Sequence, residues 1–355
     1  MSQTYLLFVP LVLAFSASEQ IRADWNPSVY NAIKWTAENQ GKDTIAYTTH
    51  EGITRIPMVY HGGVDTNSSG EITNRDKANF ATWVQENLPL DYCGPVVMDY
   101  EQPWWKELSS KSLSPELLQE ILSVYREGVD VATQILPNAQ WGYWGLPLLR
   151  HTGRVWEEQG LSLLPLTTHC IALYPDIYDD SRGTEHTERT KKHITKVLEL
   201  AHGDIPVYVF VSPRFTREGG DRTWFVPDDV FLRRVNAAMQ AVWIDENGAK
   251  HKIQGVILWD TYSFTQESEW DELDQKHKYY FELLQALIQA WRKSMVGIQI
   301  SDIHSSSPFC QYGLPEPRNS GDTISSTQPN TENREIPKIE NDRVPSGRIQ
   351  SKQTF

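Results

Sequence analysis

The chain has 355 residues and a formal net charge of −13, with 13 Trp, 15 Tyr and only 3 Cys. This acidic balance argues against a nucleic-acid or anionic-membrane partner, because both require a basic surface. The cysteines are too few and too scattered for a disulfide framework or a metal cluster. The 10 histidines show no paired ligand spacing on one helical face, so the sequence predicts neither a metal nor another cofactor.

The two ends of the chain differ from its middle. Residues 5–15 are apolar and are followed by small residues at 16–18, a pattern typical of a secretory signal rather than of a membrane span of about 20 residues. We predict a signal peptide at residues 1–18 and hence export, with a buried first strand as the alternative. Residues 303–355 are rich in Ser, Pro, Asn, Thr and charge, which predicts a disordered tail.

Between these ends, β-rich and helical patterns alternate. Predicted strands cover residues 20–26, 43–49, 95–98, 140–145, 169–175, 206–211 and 255–260, with a short extended piece at 56–60. Predicted helices cover residues 76–88, 114–129, 155–161, 194–201, 228–243 and 280–291. Such alternation indicates parallel strands in a closed barrel or an open sheet. No Gly-rich phosphate loop follows the first strand, so for residues 19–302 we predict an α/β fold, a distorted TIM-type barrel with about seven parallel strands.

The third predicted strand ends in two carboxylates. Asp99 and Glu101 lie two residues apart, so an extended backbone places both on one face. Carboxylates that share a cleft repel one another and lose hydration, which raises a pKa and suits the acid of a glycosidase. Tyr100, Trp104 and Trp105 are aromatic surfaces on which sugar rings stack. The alternative is a pair of loop-capping surface charges followed by core aromatics.

Other predicted strands also end in polar or aromatic residues. In a TIM-type barrel the catalytic groups lie at the carboxyl ends of the strands. Here those ends carry Tyr143, Tyr174, Trp259 and Asp260. We therefore expect these side chains to converge with Asp99 and Glu101 on one opening.

Four blocks of sequence together resemble the hyaluronidase family of glycoside hydrolases, of the bee-venom and mammalian sperm type. The first block is Val-Val-Met-Asp-Tyr-Glu at 96–101, and the second is Trp-Gly-Tyr-Trp at 141–144, flanked by Pro137-Asn138 and Pro147. The third is Ala-Leu-Tyr-Pro-Asp-Ile-Tyr at 172–178, where the family has Ser in place of Asp. The fourth is Gly-Val-Ile-Leu-Trp at 255–259.

The resemblance implies a retaining, substrate-assisted hydrolysis of a polysaccharide or oligosaccharide that contains N-acetylhexosamine. Glu101 would be the general acid and base. Asp99 would orient the acetamido group, whose carbonyl oxygen attacks the anomeric carbon. Tyr143, Tyr178 and Trp259 would shape the acetamido pocket, with Tyr174 as a further substrate-binding candidate.

The sequence also departs from the family pattern. No arginine follows Glu101, where Gln102-Pro-Trp-Trp105 stands, and no cysteine follows Pro147. A neutral or less anionic glycan is therefore as well supported as hyaluronan. Two other functions stay open: a catalytically silent glycan-binding barrel, and a conventional two-carboxylate glycosidase in which Asp176 or Asp260 opposes Glu101.

Overall fold

The structure is a computed structural model that describes residues 25–60, 62–178, 187–216 and 224–296, with side chains to residue 293. The predicted signal peptide, most of the predicted first strand and the predicted tail lie outside these residues. Within the described ranges, no helix has the length and apolar character that crossing a membrane requires.

The strands are short and the helices carry most of the regular structure. The nine strands of the described residues are β1 Ser28–Asn31, β2 Thr54–Arg55, β3 Met58–Val59, β4 Pro95–Met98, β5 Gln140–Tyr143, β6 Tyr208–Val211, β7 Trp243–Ile244, β8 Lys250–His251 and β9 Gly255–Leu258. The α-helices there are α1 Lys42–His50, α2 Asn74–Asn87, α3 Trp105–Leu108, α4 Pro115–Ile135, α5 Arg154–Glu158, α6 Leu164–Thr167, α7 Thr187–Leu200, α8 Asp228–Gln240 and α9 Trp270–Val296.

The strands form two parallel sheets and one small antiparallel hairpin. One sheet has the order β2-β1-β9-β6, the second has the order β3-β4-β5, and β7 pairs with β8. Every pairing within the two larger sheets is parallel. The prediction of a mixed α/β fold with parallel strands is therefore confirmed.

Single hydrogen bonds and bridges connect the two sheets. At one edge, the Ile56 N–H donates to the Asn31 carbonyl at 2.9 Å, and the Val97 N–H donates to the Pro57 carbonyl at 3.0 Å. Residues 54–59 thus reach from β1 to β4. At the other edge, isolated bridges join Trp144 to Tyr174, Leu173 to Val207 and Asp176 to Phe210. The predicted strand at 169–175 is represented by these bridges rather than by a continuous ladder.

The prediction of a strand at residues 43–49 is wrong, because these residues form α1. Their β-branched and aromatic side chains favour a strand locally, but tertiary contacts decide the outcome. The Asp274 carboxylate on α9 accepts hydrogen bonds from the backbone N–H groups of Asp43 and Thr44 at 2.8 and 3.0 Å. It thereby caps the start of the helix from a distant part of the chain.

The predicted helices all correspond to observed helices. The helix predicted at 114–129 is α4, and Ser114 caps it: the Ser114 hydroxyl accepts the Leu117 N–H at 3.2 Å, and Pro115 takes the first helical position. Four other predicted helices correspond to α2, α7, α8 and α9. The helix predicted at 155–161 is the shorter α5.

Alternation along the strands separates two apolar clusters. The outer cluster lies between strands and helices; for example, Trp141 packs against Phe80 of α2 with ring centroids 5.5 Å apart. The inner cluster, on the opposite faces of the strands, consists of Ala32, Ile56, Met58, Val97, Ala172, Tyr174, Tyr208, Phe210 and Ile257. Residues that share the parity of Val97 and Phe210 therefore point to what we call the inner face.

A buried ion cluster fixes the carboxyl ends of β6 and β9. Asp260, 2% exposed, accepts hydrogen bonds from Arg214 Nε at 3.0 Å and from Arg214 Nη2, and its other oxygen lies 2.8 Å from His277 Nε2 on α9. Burial alone would raise the pKa of Asp260, but the hydrogen bonds and charges of His277 and Arg214 outweigh it and hold that pKa below its usual value. Asp260 thus has a structural role, because its carboxylate is held by Arg214 and His277.

Asp260→Asn is expected to lower the free energy of unfolding by about 3–5 kcal/mol, because it leaves Arg214 buried without its counter-charge. Urea unfolding followed by circular dichroism measures the loss. The matched control is Asp229→Asn, which breaks an ion pair with Arg233 whose side chains are 67% and 49% exposed. It should change stability by less than about 0.5 kcal/mol. Equal losses in the two variants would contradict the assignment.

Candidate active site

A group of partly exposed side chains lies at the carboxyl ends of the inner-face residues. Each lies an even number of residues after an inner-face residue of the same strand or extended segment, so its side chain points to the inner face as well. We call this group the mouth; it consists of Lys34, Tyr60, Asp99, Glu101, Trp144, Asp176, Tyr178 and Trp259.

Backbone and side-chain hydrogen bonds fix which way the residues after β4 point. The Asp99 N–H donates to the Val59 carbonyl at 2.9 Å, so the extended pairing continues one residue beyond β4. Tyr100 points outward, and its buried hydroxyl donates to the Asp65 carboxylate at 2.8 Å. The Tyr125 hydroxyl of α4 donates to the Tyr100 carbonyl at 2.7 Å. With Tyr100 held outward, Asp99 and Glu101 face inward on either side of it.

The Asp99 carboxyl has an unusual environment. Burial raises its pKa to about 6, and the nearby Lys34 ammonium opposes that shift without cancelling it. The Lys34 Nζ itself lies over the Tyr60 ring, 4.1 Å from its centroid. Asp99 is therefore a carboxylate with little hydration, beside one cation that also contacts an aromatic ring.

Asp176 brings a third carboxyl to the mouth. Burial raises its pKa to about 6; the Tyr178 N–H and Arg234 oppose that shift, and the Glu101 carboxylate adds to it. Arg234 also donates to the carbonyls of Ile177 and Tyr178, at 3.2 and 3.0 Å. The Glu101 and Asp176 carboxyls are thus close enough to interact electrostatically.

An aromatic row runs across the mouth. The ring centroids are 5.1 Å apart for Trp105 and Trp144, 6.0 Å for Trp144 and Tyr178, and 5.8 Å for Tyr178 and Trp259. The Trp144 indole N–H donates to the Tyr178 hydroxyl at 3.2 Å, and the Trp259 side chain is hydrogen-bonded to Tyr60. The row presents partly exposed ring surface beside three carboxyls.

The structure brings together four of the six site residues predicted from sequence, namely Asp99, Glu101, Tyr178 and Trp259. Tyr143 lies on the outer face, 3% exposed, and its hydroxyl donates to the Tyr125 carbonyl of α4 at 2.8 Å. Tyr174 is fully buried in the inner cluster, and its hydroxyl donates to the Gln140 carbonyl at 2.5 Å, at the amino end of β5. Both therefore lie away from the mouth.

Sequence reasoning missed Lys34, Tyr60 and Trp144. The signal for Trp144 was present in the alternation of β5. In the observed register Gly142 lies beside Val97 and Tyr143 beside Met98. The inner position at the carboxyl end of β5 therefore belongs to Trp144. Lys34 follows β1, which was not predicted at its observed position, and Tyr60 ends the extended piece predicted at 56–60, to which no role was assigned.

Across the described ranges, no three or more His, Cys, Asp or Glu side chains are grouped so as to hold a metal ion.

Comparison with known proteins places this geometry on a known fold. No family model matches the chain, and no curated protein matches it significantly. The solved structure of bee venom hyaluronidase superimposes with a TM-score of 0.51 and 14% identity, covering 71% of this chain and 99% of that chain. The fold resembles that of bee venom hyaluronidase.

Two further solved structures are similar. Bee venom hyaluronidase in complex with a hyaluronic acid tetramer has a TM-score of 0.50 and 14% identity, covering 73% of this chain and 96% of that chain. A GH18 chitinase from Pseudoalteromonas aurantia has a TM-score of 0.39 and 14% identity, covering 66% and 80%. At such low identity the hyaluronidase likeness establishes the fold alone.

Asp99→Asn is expected to stabilise the protein at pH 8 but not at pH 4. The pKa is about 6 in the folded protein and about 3.9 in an unfolded chain. Ionisation therefore costs nothing below pH ~4, and its full cost, at most about 3 kcal/mol, is reached above pH ~6. Thermal unfolding should show a Tm that rises by roughly 2–6 °C at pH 8.

The control for this experiment is Asp91→Asn, which neutralises an exposed carboxyl just before β4. Its Tm should match that of the unmodified protein at both pH values. If Asp99→Asn failed to raise the Tm at pH 8, the buried, poorly hydrated state of Asp99 would be wrong.

Proposed function

We propose that the protein is a hyaluronidase-like glycoside hydrolase that cleaves N-acetylhexosamine-containing glycans by a retaining, substrate-assisted mechanism. The observation that carries this proposal is the placement of Asp99 and Glu101 side by side on the inner face, next to the aromatic row. The likeness in fold to bee venom hyaluronidase supports it.

We further propose that the two parallel sheets form the wall of one distorted barrel. The extended segment 54–59 links β1 to β4, and the bridges of residues 173–176 link β5 to β6. With the β6–β9 and β9–β1 pairings, this gives a circuit of seven extended segments. A barrel explains why one inner cluster is enclosed and why the mouth lies at its carboxyl end.

In this mechanism Glu101 protonates the glycosidic oxygen as the leaving group departs, and later removes a proton from the attacking water. Asp99 accepts a hydrogen bond from the acetamido N–H of the substrate. It thereby aims the acetamido carbonyl oxygen at the anomeric carbon and stabilises the positive charge that develops on the amide. The poor hydration of Asp99 strengthens this electrostatic interaction.

Strand geometry favours the substrate-assisted route. Asp99 and Glu101 project from the same face of one extended segment, with Cα atoms about 6.6–6.8 Å apart. A nucleophilic carboxylate must approach the sugar from the face opposite the acid. Two carboxyls from one strand face cannot flank the bond in that way, so the acetamido oxygen takes the role of nucleophile.

The aromatic side chains define where the acetamido group sits. Tyr178 and Trp259 are stacked with nearly parallel rings, and Trp144 bonds to the Tyr178 hydroxyl. These three rings form a rigid apolar wall with one hydroxyl, which fits a methyl group next to a carbonyl. In this proposal Trp144, rather than the predicted Tyr143, helps to shape the acetamido pocket.

A conventional two-carboxylate mechanism is the second candidate. Asp260 is unsuited to it, because its carboxylate is held by Arg214 and His277. Asp176 is the observation in its favour, because it reaches the mouth from a different segment and interacts with Glu101. In that case Asp176→Asn would abolish turnover of every substrate, whereas the substrate-assisted mechanism needs no carboxylate there.

Glu101→Gln is expected to lower the turnover of N-acetylhexosamine oligosaccharides by about 10²–10⁴-fold while binding is kept, because the amide removes proton transfer but conserves shape. Release of reducing ends measures turnover, and calorimetric titration measures binding. The matched control is Glu120→Gln, an exposed carboxyl on α4 that should leave turnover unchanged.

Turnover that persists in Glu101→Gln would contradict the role of Glu101. Binding without turnover in the unmodified protein would favour the catalytically silent glycan-binding barrel instead.

A further inference from the structure

We propose, building on the proposed function, that the mouth selects an uncharged N-acetylhexosamine chain as substrate and disfavours a glycan that carries a uronate carboxylate on every second sugar. The aromatic row offers ring surface on which sugars can stack, and the charges around it decide which glycan is favoured.

The charge balance of the mouth is negative. Its titratable acids are Asp99, Glu101 and Asp176, which lie on neighbouring segments with inner parity. Lys34 is the cation among the eight residues of the mouth, and its ammonium already contacts the Tyr60 ring and interacts with Asp99. A uronate entering this space would meet like charges in a poorly hydrated environment, where repulsion is strong.

Two further cations of the described residues lie near the mouth, and both are already engaged: the Arg55 guanidinium, which interacts with Tyr60, lies over the Trp35 ring, 3.9 Å from its centroid. Arg234 donates to the backbone carbonyls of Ile177 and Tyr178, behind the segment that carries Asp176. It therefore supports the backbone of the mouth from α8. An arginine used in this way does not offer a free bidentate face to a uronate carboxylate.

Asp176 and Trp105 lie close together on one side of the mouth. A Cβ on Gly145 would lie 2.8 Å from the Trp105 ring and 3.5 Å from the Asp176 carboxylate, so both side chains border Gly145. This side of the mouth therefore carries a negative charge beside an aromatic ring.

The aromatic row supplies the attraction that an uncharged chain needs. Its rings run from Trp105 to Trp259 with neighbouring centroids 5.1–6.0 Å apart. Ring stacking against sugar C–H faces requires no charge on the ligand. It is also insensitive to salt, in contrast to binding that depends on ion pairs.

The test measures affinity separately from turnover, in full-length protein that carries Glu101→Gln. Three hexasaccharides serve as probes: hyaluronan, the same hyaluronan with its carboxyl groups reduced to alcohols, and β1,4-linked N-acetylglucosamine. Calorimetric titration at about 0.02 and about 0.5 M NaCl gives Kd for each. The hyaluronan pair has the same linkages and differs only in charge.

The two uncharged probes are expected to bind at least about tenfold more tightly than hyaluronan at low salt. Salt should strengthen hyaluronan binding, because it screens repulsion, and leave the uncharged probes unchanged. Adding Asp176→Asn should reduce the ratio of the two Kd values, hyaluronan over carboxyl-reduced hyaluronan, by about fivefold. The control Asp91→Asn, at the opposite end of β4, should leave this ratio of Kd values unchanged. Tighter hyaluronan binding, or hyaluronan binding that salt weakens, would overturn the inference.

The two proposals can fail separately. Selective binding of uncharged probes together with no turnover in the unmodified protein would refute the enzyme and keep the selectivity. Glu101-dependent cleavage of hyaluronan in preference to its reduced form would keep the enzyme and refute the selectivity. Absence of binding by all three probes would refute both.

Discussion

The outward anchoring of Tyr100 is the constraint on which the candidate site depends. A strand presents its side chains alternately, so one residue held on the outer face determines the direction of both neighbours. The Tyr100 hydroxyl is held by Asp65, and its carbonyl accepts the Tyr125 hydroxyl of α4. A slip of one residue would bury Asp99 and Glu101 among the helices without partners and expose Tyr100 in the mouth. The helix layer therefore fixes the direction of the acids through two tyrosine hydroxyls.

Three carboxyls at the ends of extended segments fall into two groups that differ in their partners. Asp260 has Arg214 and His277, which lower its pKa and make it part of the framework. Asp99 and Asp176 have partners too weak to compensate for burial, so their pKa values rise to about 6. The first arrangement stabilises the fold, while the second costs stability and leaves carboxyls with raised pKa values at the mouth. This contrast in partners marks Asp260 as a structural residue and Asp99 and Asp176 as candidate functional residues, although all three lie at or directly after the end of a predicted strand.

The sequence alone predicted the α/β class, the strand at residues 95–98 and the two acids that follow it, because continuous apolar runs are local signals. It failed at residues 43–49, where Asp274 caps a helix from a distant position. It also chose Tyr143 over Trp144, because aromatic residues at a strand end were assigned by pattern, without counting parity from Val97. The prediction that Tyr174 belongs to the site failed for a related reason. Residues of the inner cluster and of the mouth point to the same face of the strands, and they differ only in how far along the strand they lie. That position depends on how the strands are staggered, which sequence does not reveal.

The most direct test of this account is a crystal structure of the Glu101→Gln variant with an uncharged N-acetylhexosamine oligosaccharide. The account predicts a sugar whose acetamido group contacts Asp99 and lies against Trp144, Tyr178 and Trp259, with its glycosidic oxygen in hydrogen-bond reach, about 2.6–3.2 Å, of the residue 101 side chain. An oligosaccharide bound away from the inner face, or one whose acetamido group contacts neither Asp99 nor the aromatic row, would contradict it.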